Sequence, residues 1–249
     1  MIRARFAVAG LALSMSAVAH ADLIAFDTLT GVTNFNVAAA SNTFLGAAVN
    51  LGAAAITSPT LTGVDATLIN TSGVAQIGAL RLNVFVWGTF TSATTPVFSN
   101  SLGNATFNFG NVNLANNSVF LITDALNPGI TPGLTFTTPI AITGTTGLGF
   151  TFNWQINTGA GFANVNNLTS AIRDAGIAPV VGTNAAGISP NFGYYRNASG
   201  RTDGNFASTD LRQIGPDSNV AFRVYVIPTP SAAALIGMGG LLAARRRRA

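Results

Sequence analysis

Leu148-Gly149-Phe150-Thr151-Phe152-Asn153-Trp154-Gln155-Ile156 sends five large apolar side chains to one side and Gly, Thr, Asn and Gln to the other. A period of two is strand geometry, because successive side chains of an extended chain point to opposite faces. The segment therefore reads as a strand with one apolar and one polar face. Residues 80–87 repeat the pattern, with Leu80, Leu82, Val84 and Val86 against Arg81, Asn83, Phe85 and Trp87. Residues 219–227 repeat it again, with Val220, Phe222, Val224 and Val226 against Ala221, Arg223, Tyr225 and Ile227.

Weaker alternation marks strands at 23–26, 44–51, 60–69, 106–109, 118–123, 134–142 and 192–195, separated by Gly, Asn, Pro and Thr clusters. Thr143-Gly144-Thr145-Thr146-Gly147 reads as a hairpin turn. Residues 167–175 have a helical look, with Leu168, Ile172 and Ala175 on one face and Gly176 and Pro179 to stop them. Residues 22–227 are enough for one sizeable core, and no internal linker interrupts them. Many short strands without sustained helices predict an all-β domain of two packed antiparallel sheets, a jelly-roll-like β-sandwich. A β-solenoid is the second choice, but no fixed short repeat supports it.

The inventory of side chains narrows the chemistry. Cys, Lys and Glu occur nowhere in the 249 residues, and the single His is His20. Disulfides, His- or Cys-based zinc sites, imidazole-assisted nucleophiles and lysine Schiff bases are thereby removed from residues 22–227. No cofactor or metal is expected. The chain as a whole carries +4, yet half of its twelve arginines sit in the terminal segments. Residues 22–227 hold six Arg against eight Asp, a formal −2, which argues against nucleic acid as a partner.

The two ends read differently from the middle. Arg3 and Arg5, an apolar run over 6–18 and the Ala19-His20-Ala21 triplet form a secretory signal peptide over residues 1–21. Signal peptidase would cut after Ala21, with Ala19 and Ala21 in its small-residue subsites. At the other end Pro228-Thr229-Pro230 is followed by an apolar run that includes Ala232, Leu235, Ile236, Leu241 and Leu242. Arg245, Arg246, Arg247 and Arg248 then form a block suited to the cytoplasmic side of a membrane. Thirteen apolar residues at ~1.5 Å each reach about 20 Å, short of the ~30 Å hydrocarbon core. Both ends are expected to be helical.

This tail, residues 228–249, resembles the PEP-CTERM sorting signal, a Pro-Glu-Pro motif, a hydrophobic segment and an Arg-rich end. Thr229 stands where that family usually has Glu. The resemblance implies a Gram-negative host, an exosortase-type processing enzyme as partner, and delivery to the cell surface or extracellular matrix after tethering at the inner membrane. It implies nothing about the activity of residues 22–227.

Within the domain the densest polar and aromatic cluster contains Tyr194, Tyr195, Arg196, Arg201 and Asp203. Tyrosine faces stack on sugar rings while Arg and Asp bind hydroxyls, so these five residues form a candidate glycan site. A strand followed by a Gly-rich surface turn is the plainer reading. Asp203-Gly204-Asn205 with Asp210 falls short of a calcium loop. Five Asn-x-Ser/Thr sequons, at Asn70, Asn104, Asn116, Asn167 and Asn197, occur at the frequency that composition alone predicts. The expectation is a non-enzymatic, exported structural or adhesive protein. A lectin-like module acting on exopolysaccharide is the alternative, and an Asp-only glycosidase or lyase ranks last.

Overall fold

The structure, a computed structural model, describes residues 22–36, 45–52, 60–90, 98–126, 128–130, 132–142, 147–173, 178–184, 195–197, 211–213 and 219–227. These residues are all-β. Among them there is no helix, and none long and apolar enough to cross a membrane. The strands are β1 Leu23–Asp27, β2 Phe35–Asn36, β3 Leu45–Asn50, β4 Thr60–Asn70, β5 Gln76–Phe90 and β6 Phe98–Leu114. Next come β7 Ser118–Ile122, β8 Leu134–Ala141, β9 Gly147–Asn157, β10 Phe162–Ala163, β11 Leu168–Thr169 and β12 Ile172–Arg173. Then follow β13 Thr183–Asn184, β14 Tyr195–Asn197, β15 Leu211–Gln213, β16 Asn219–Val220 and β17 Phe222–Ile227.

Two antiparallel sheets hold most of them. The first runs β1-β17-β4, with β7 and β8 end to end along the other side of β4 and β11 at its tip. The second runs β15-β14-β3-β9-β5-β6, with β10 on β9 and β13 on β3. A small third sheet joins β16, β12 and β2. The alternation read from the sequence decides which face is inside. Leu80, Leu82, Val84, Val86, Phe150, Phe152 and Trp154 of the second sheet share one core with Leu61, Val64, Leu68, Phe222 and Val224 of the first. The Phe222 ring meets Phe150 at 5.5 Å and Phe152 at 5.0 Å, so the sheets pack face to face through aromatic contacts. Trp154, inside, keeps its indole N–H satisfied by Ser170 Oγ at 3.0 Å.

Three sequence expectations need correction. The Thr143–Gly147 turn does not close a hairpin, because β8 pairs with β4 in the first sheet and β9 with β3 and β5 in the second. The chain crosses between sheets there, and turn chemistry alone does not distinguish a crossover from a hairpin. The helical look of 167–175 gives way to β11 and β12, in two different sheets. Thr67 Oγ1 accepts the Ala171 N–H at 3.1 Å and Ala171 O accepts the Ala221 N–H at 2.9 Å, tying this segment to neighbouring strands rather than to itself. The run 219–227 is broken at Ala221 by the same bond, giving β16 and β17. Stacked solenoid coils are ruled out by the pairing of β1 with β17 across the length of the domain. The expected terminal helices lie outside the described residues.

Both ends of the domain emerge at one pole. Leu23 pairs with Val226, and Ile227 pairs with Thr60, which also pairs with Ala141. The opposite pole carries the 71–75 connection, the 115–117 turn and the segment from Asn157 to Leu168. Asn70 organises it. Its buried amide donates to Val74 O at 3.0 Å, Leu114 O at 2.9 Å and Ala115 O at 3.2 Å, and its Oδ1 accepts from Ser72 N and Oγ.

Candidate functional site

Tyr195 and Arg196 lie in β14, where Tyr195 is opposite Gly46 of β3 and Gln213 of β15. Tyr194, Arg201 and Asp203 lie outside the described residues, as do Asp210 and the whole of both terminal segments with Ala19, Ala21, Pro228, Thr229, Pro230, Ala232, Leu235, Ile236, Leu241, Leu242 and Arg245 to Arg248. Strand β14 thus attaches part of the tyrosine segment to the second sheet.

The outer face of that sheet carries a connected row of polar groups. Asn83 Nδ2 donates to Asn153 Oδ1 at 3.1 Å and to Gln155 Oε1 at 3.2 Å, while its Oδ1 accepts from Thr106 Oγ1 at 2.9 Å. Asn153 donates onward to Asn164 Oδ1 at 2.8 Å. Beside them Arg81 donates to Asn108 Oδ1 at 3.0 Å and lies 3.6 Å above the Phe162 ring, a cation–π contact. Farther along, the Trp87 indole donates to Thr151 Oγ1 at 3.1 Å, and Phe85 stacks near it at 6.4 Å. These groups come from the polar halves of the alternating strands 80–87 and 148–156.

Burial grades across the row. Thr151, Asn153 and Gln155 on β9 are buried, Arg81, Asn83 and Phe85 on β5 are half-buried, and Asn104, Thr106 and Asn108 on β6 are exposed. Sequence reading recognised this face as polar but placed the candidate site elsewhere. The signal was present in Arg81, Asn83, Phe85 and Trp87, four hydrogen-bonding or aromatic residues at strand spacing opposite an aliphatic face. An amide offers both a donor and an acceptor, which suits hydroxyl-rich ligands.

A second polar centre sits on the outer face of the first sheet. Asp65 is fully buried and accepts from Gly133 N at 2.7 Å, Tyr225 Oη at 2.8 Å, Arg223 Nη1 at 2.9 Å and Thr123 Oγ1 at 3.3 Å. Asp27 accepts from Leu29 N at 2.7 Å, Thr30 N at 3.0 Å and Thr30 Oγ1 at 2.6 Å, and its Oδ2 lies 3.2 Å from Arg223 Nε. Arg223 Nη2 closes the circuit on Thr30 Oγ1 at 3.0 Å. The register places Asp27, Arg223 and Asp65 side by side on β1, β17 and β4. Thr123, Gly129 and Gly133 lie against them.

Burial, aided by the hydrogen bond to Asp65, pushes the Tyr225 phenol up to about 12, against the opposing pull of Arg223. Burial alone would lower Arg223, but its bond to Tyr225 and the charges of Asp27 and Asp65 outweigh it and hold the guanidinium above its ordinary range. Four donors converge on the two oxygens of Asp65 and hold the carboxylate in a fixed place. That is the environment of a structural ion pair. Among the described residues no three His, Cys, Asp or Glu side chains gather where they could hold a metal ion.

No protein-family model, no curated protein and no solved structure matches the chain.

Proposed function

We propose that the chain is an exported, non-enzymatic protein of the cell envelope or extracellular matrix, with a structural or adhesive role. In this reading residues 1–21 direct export, and residues 228–249 are a PEP-CTERM-like tag recognised by an exosortase-type enzyme. The observation that carries the non-enzymatic part is the state of the described aspartates. Asp22 accepts from Thr62 Oγ1, Asp27 and Asp65 share Arg223, and Asp124 accepts from Leu126 N, so each is engaged in holding the fold. With no Glu, His, Cys or Lys in the domain, few groups remain to move protons.

The finer architecture we propose is a jelly roll. With β7 and β8 counted as one strand position, the long strands β1, β3, β4, β5, β6, β7/β8, β9 and β17 are eight in chain order. Their neighbours are then 1-8-3-6 in one sheet and 2-7-4-5 in the other, the connectivity of two interleaved Greek keys, and this supports the reading.

The experiment is a cell fractionation. The exported form should begin at Asp22 by mass spectrometry, and deletion of residues 231–249 should release the domain from the membrane fraction. Recovery of Met1 on the exported form, or an unchanged membrane fraction after the deletion, would overturn it.

A second reading, weak binding of exopolysaccharide, is favoured by the amide and aromatic row on β5, β6 and β9. Many weak contacts suffice where many copies are displayed on one surface. Retention on an immobilised polysaccharide should fall when Thr106 and Asn108, both exposed, are replaced by Ala together. Equal retention of that variant removes this reading.

A further inference from the structure

We propose that β7 is a self-association edge, along which two copies of the chain pair antiparallel through Ser118–Ile122 about a two-fold axis at Phe120. The inference does not depend on the export or glycan readings. It begins from the open side of the sandwich, where β7 ends the first sheet and β6 ends the second. Toward the pole of the chain ends this side is shut. Phe107 meets Phe136 at 6.2 Å, and a Cβ at Gly103 would come within 3.1 Å of Ile140. Toward the opposite pole the sheets part, leaving a cleft of about 360 Å³ lined by Leu68, Leu80, Phe109, Val112, Phe120 and Ile122 among others.

The two edges differ in how they are protected. Strand β6 is interrupted by irregular register opposite Leu80/Arg81 and Val86/Trp87, and such bulges break up a pairing edge. Strand β7 pairs with β4 in regular register over all five residues and carries no charge, proline or bulge. Its Val119, Phe120 and Leu121 are 38%, 36% and 51% exposed. Among the described residues no strand pairs with its outer side, and an uncharged apolar edge of that kind is one that natural proteins cover.

A second copy is the occupant that fits. About Phe120 the strand matches itself, Val119 opposite Leu121 and Phe120 opposite Phe120, so side chains of one face stay on that face across the axis. Extended two steps further, the same register sets Asp124 against Asn116 and brings no like charges together. The paired length is short. Five paired residues at ~3.4 Å each run about 17 Å along the edge, and the sheets stand ~10 Å apart, giving on the order of 170 Å² per copy. That is well under the ~800 Å² per partner of a standard interface, so the dimer is a weak, reversible one. Pairing would close both clefts and continue the first sheet through two molecules.

The chain contains no cysteine, which gives a clean test. Full-length chain in mild detergent should show a concentration-dependent dimer by sedimentation velocity. Phe120→Cys should form a disulfide dimer under mild oxidation, since self-opposed strand positions lie about 4.5–5.5 Å apart, inside the disulfide range. Val74→Cys, 61% exposed at the same pole but off the strand, should not. The double variant Val119→Lys, Leu121→Lys sets lysine against lysine and should weaken the dimer by about tenfold or more with unchanged circular dichroism. A monomer at every concentration without F120C cross-linking would overturn the proposal. So would a dimer indifferent to the lysines, which would place the interface elsewhere, or a monomer that captures only an unrelated strand.

Discussion

The Tyr225 hydroxyl donates a 2.8 Å hydrogen bond to Asp65 Oδ2, and the Arg223 guanidinium reaches the same oxygen at 2.9 Å. One carboxylate on β4 thus receives two side chains from β17, spaced two residues apart on one face of the strand. Removing that carboxylate leaves a half-buried cation, still paired with Asp27, and a buried phenol without their shared acceptor. Asp65→Ala should therefore cost about 3–5 kcal/mol, the usual range for breaking a buried ion pair from one side. Tyr225→Phe, which deletes one hydrogen bond to a charge and keeps the ring, should cost about 1.5–3 kcal/mol. Urea unfolding of the two single variants and the double variant measures both, and the double should cost less than the sum because the groups are coupled.

Alkaline pH provides an independent reading of the same contact. The phenol of Tyr225 is raised from 10.0 to about 12, so between those values the folded chain holds a proton that the unfolded chain has lost. Its contribution to stability is complete below pH 10 and is lost as pH rises toward 12. Stability followed across that window should decline in the native chain, and Tyr225→Phe should flatten this part of the decline.

Gly133 is where the segment over this cluster is fastened. Its N–H donates to Asp65 Oδ1 at 2.7 Å, and a Cβ there would lie 2.4 Å from Thr123 Cα. Backbone cannot yield as a flexible side chain can. Gly133→Ala should destabilise by about 1–3 kcal/mol, and hydrogen exchange should accelerate over 123–133 before it changes in β9.

The Asn70 side chain ties two connections together at the far pole, so Asn70→Ala leaves Leu114 O short of a donor. A cost of about 1–3 kcal/mol follows, with faster exchange confined at first to 71–75 and 115–117. Because this side chain is fully buried, its sequon should carry no glycan on the folded protein, which intact-mass measurement checks.

Leu80, Leu82, Val84, Val86 and Phe150, Phe152, Trp154 were legible as core because a strand buried on one face must alternate. What the alternation does not encode is which strand lies beside which. The Thr143–Gly147 connection looks the same in sequence whether it folds back or crosses to the other sheet. Nor does it reveal that Thr151, Asn153 and Gln155 would be buried too, since a polar face reads as a solvent face until something covers it. The Asp27–Arg223–Asp65–Tyr225 cluster escaped for a related reason. Its members are far apart in the chain, and only the register of β1 on β17 and of β17 on β4 brings them together. Within β17, Arg223 and Tyr225 did show an outward polar pair, the one local hint of it.

The placement of both chain ends at one pole has a mechanical side. Strand β17 leaves the domain at Ile227 and lies against β4 through six opposed pairs, from Phe222 with Ala66 to Ile227 with Thr60. A pull on Ile227, resisted at the opposite pole, acts along those strands, so the pairs are loaded together in shear. The Arg223–Asp65 bridge spans the same two strands and acts as a cross-bolt against sliding. If the resisting grip were instead at Leu23, beside Val226 at the same pole, β1 and β17 would peel apart one pair at a time. The same domain would be strong when stretched from pole to pole and weak when its two ends were drawn apart.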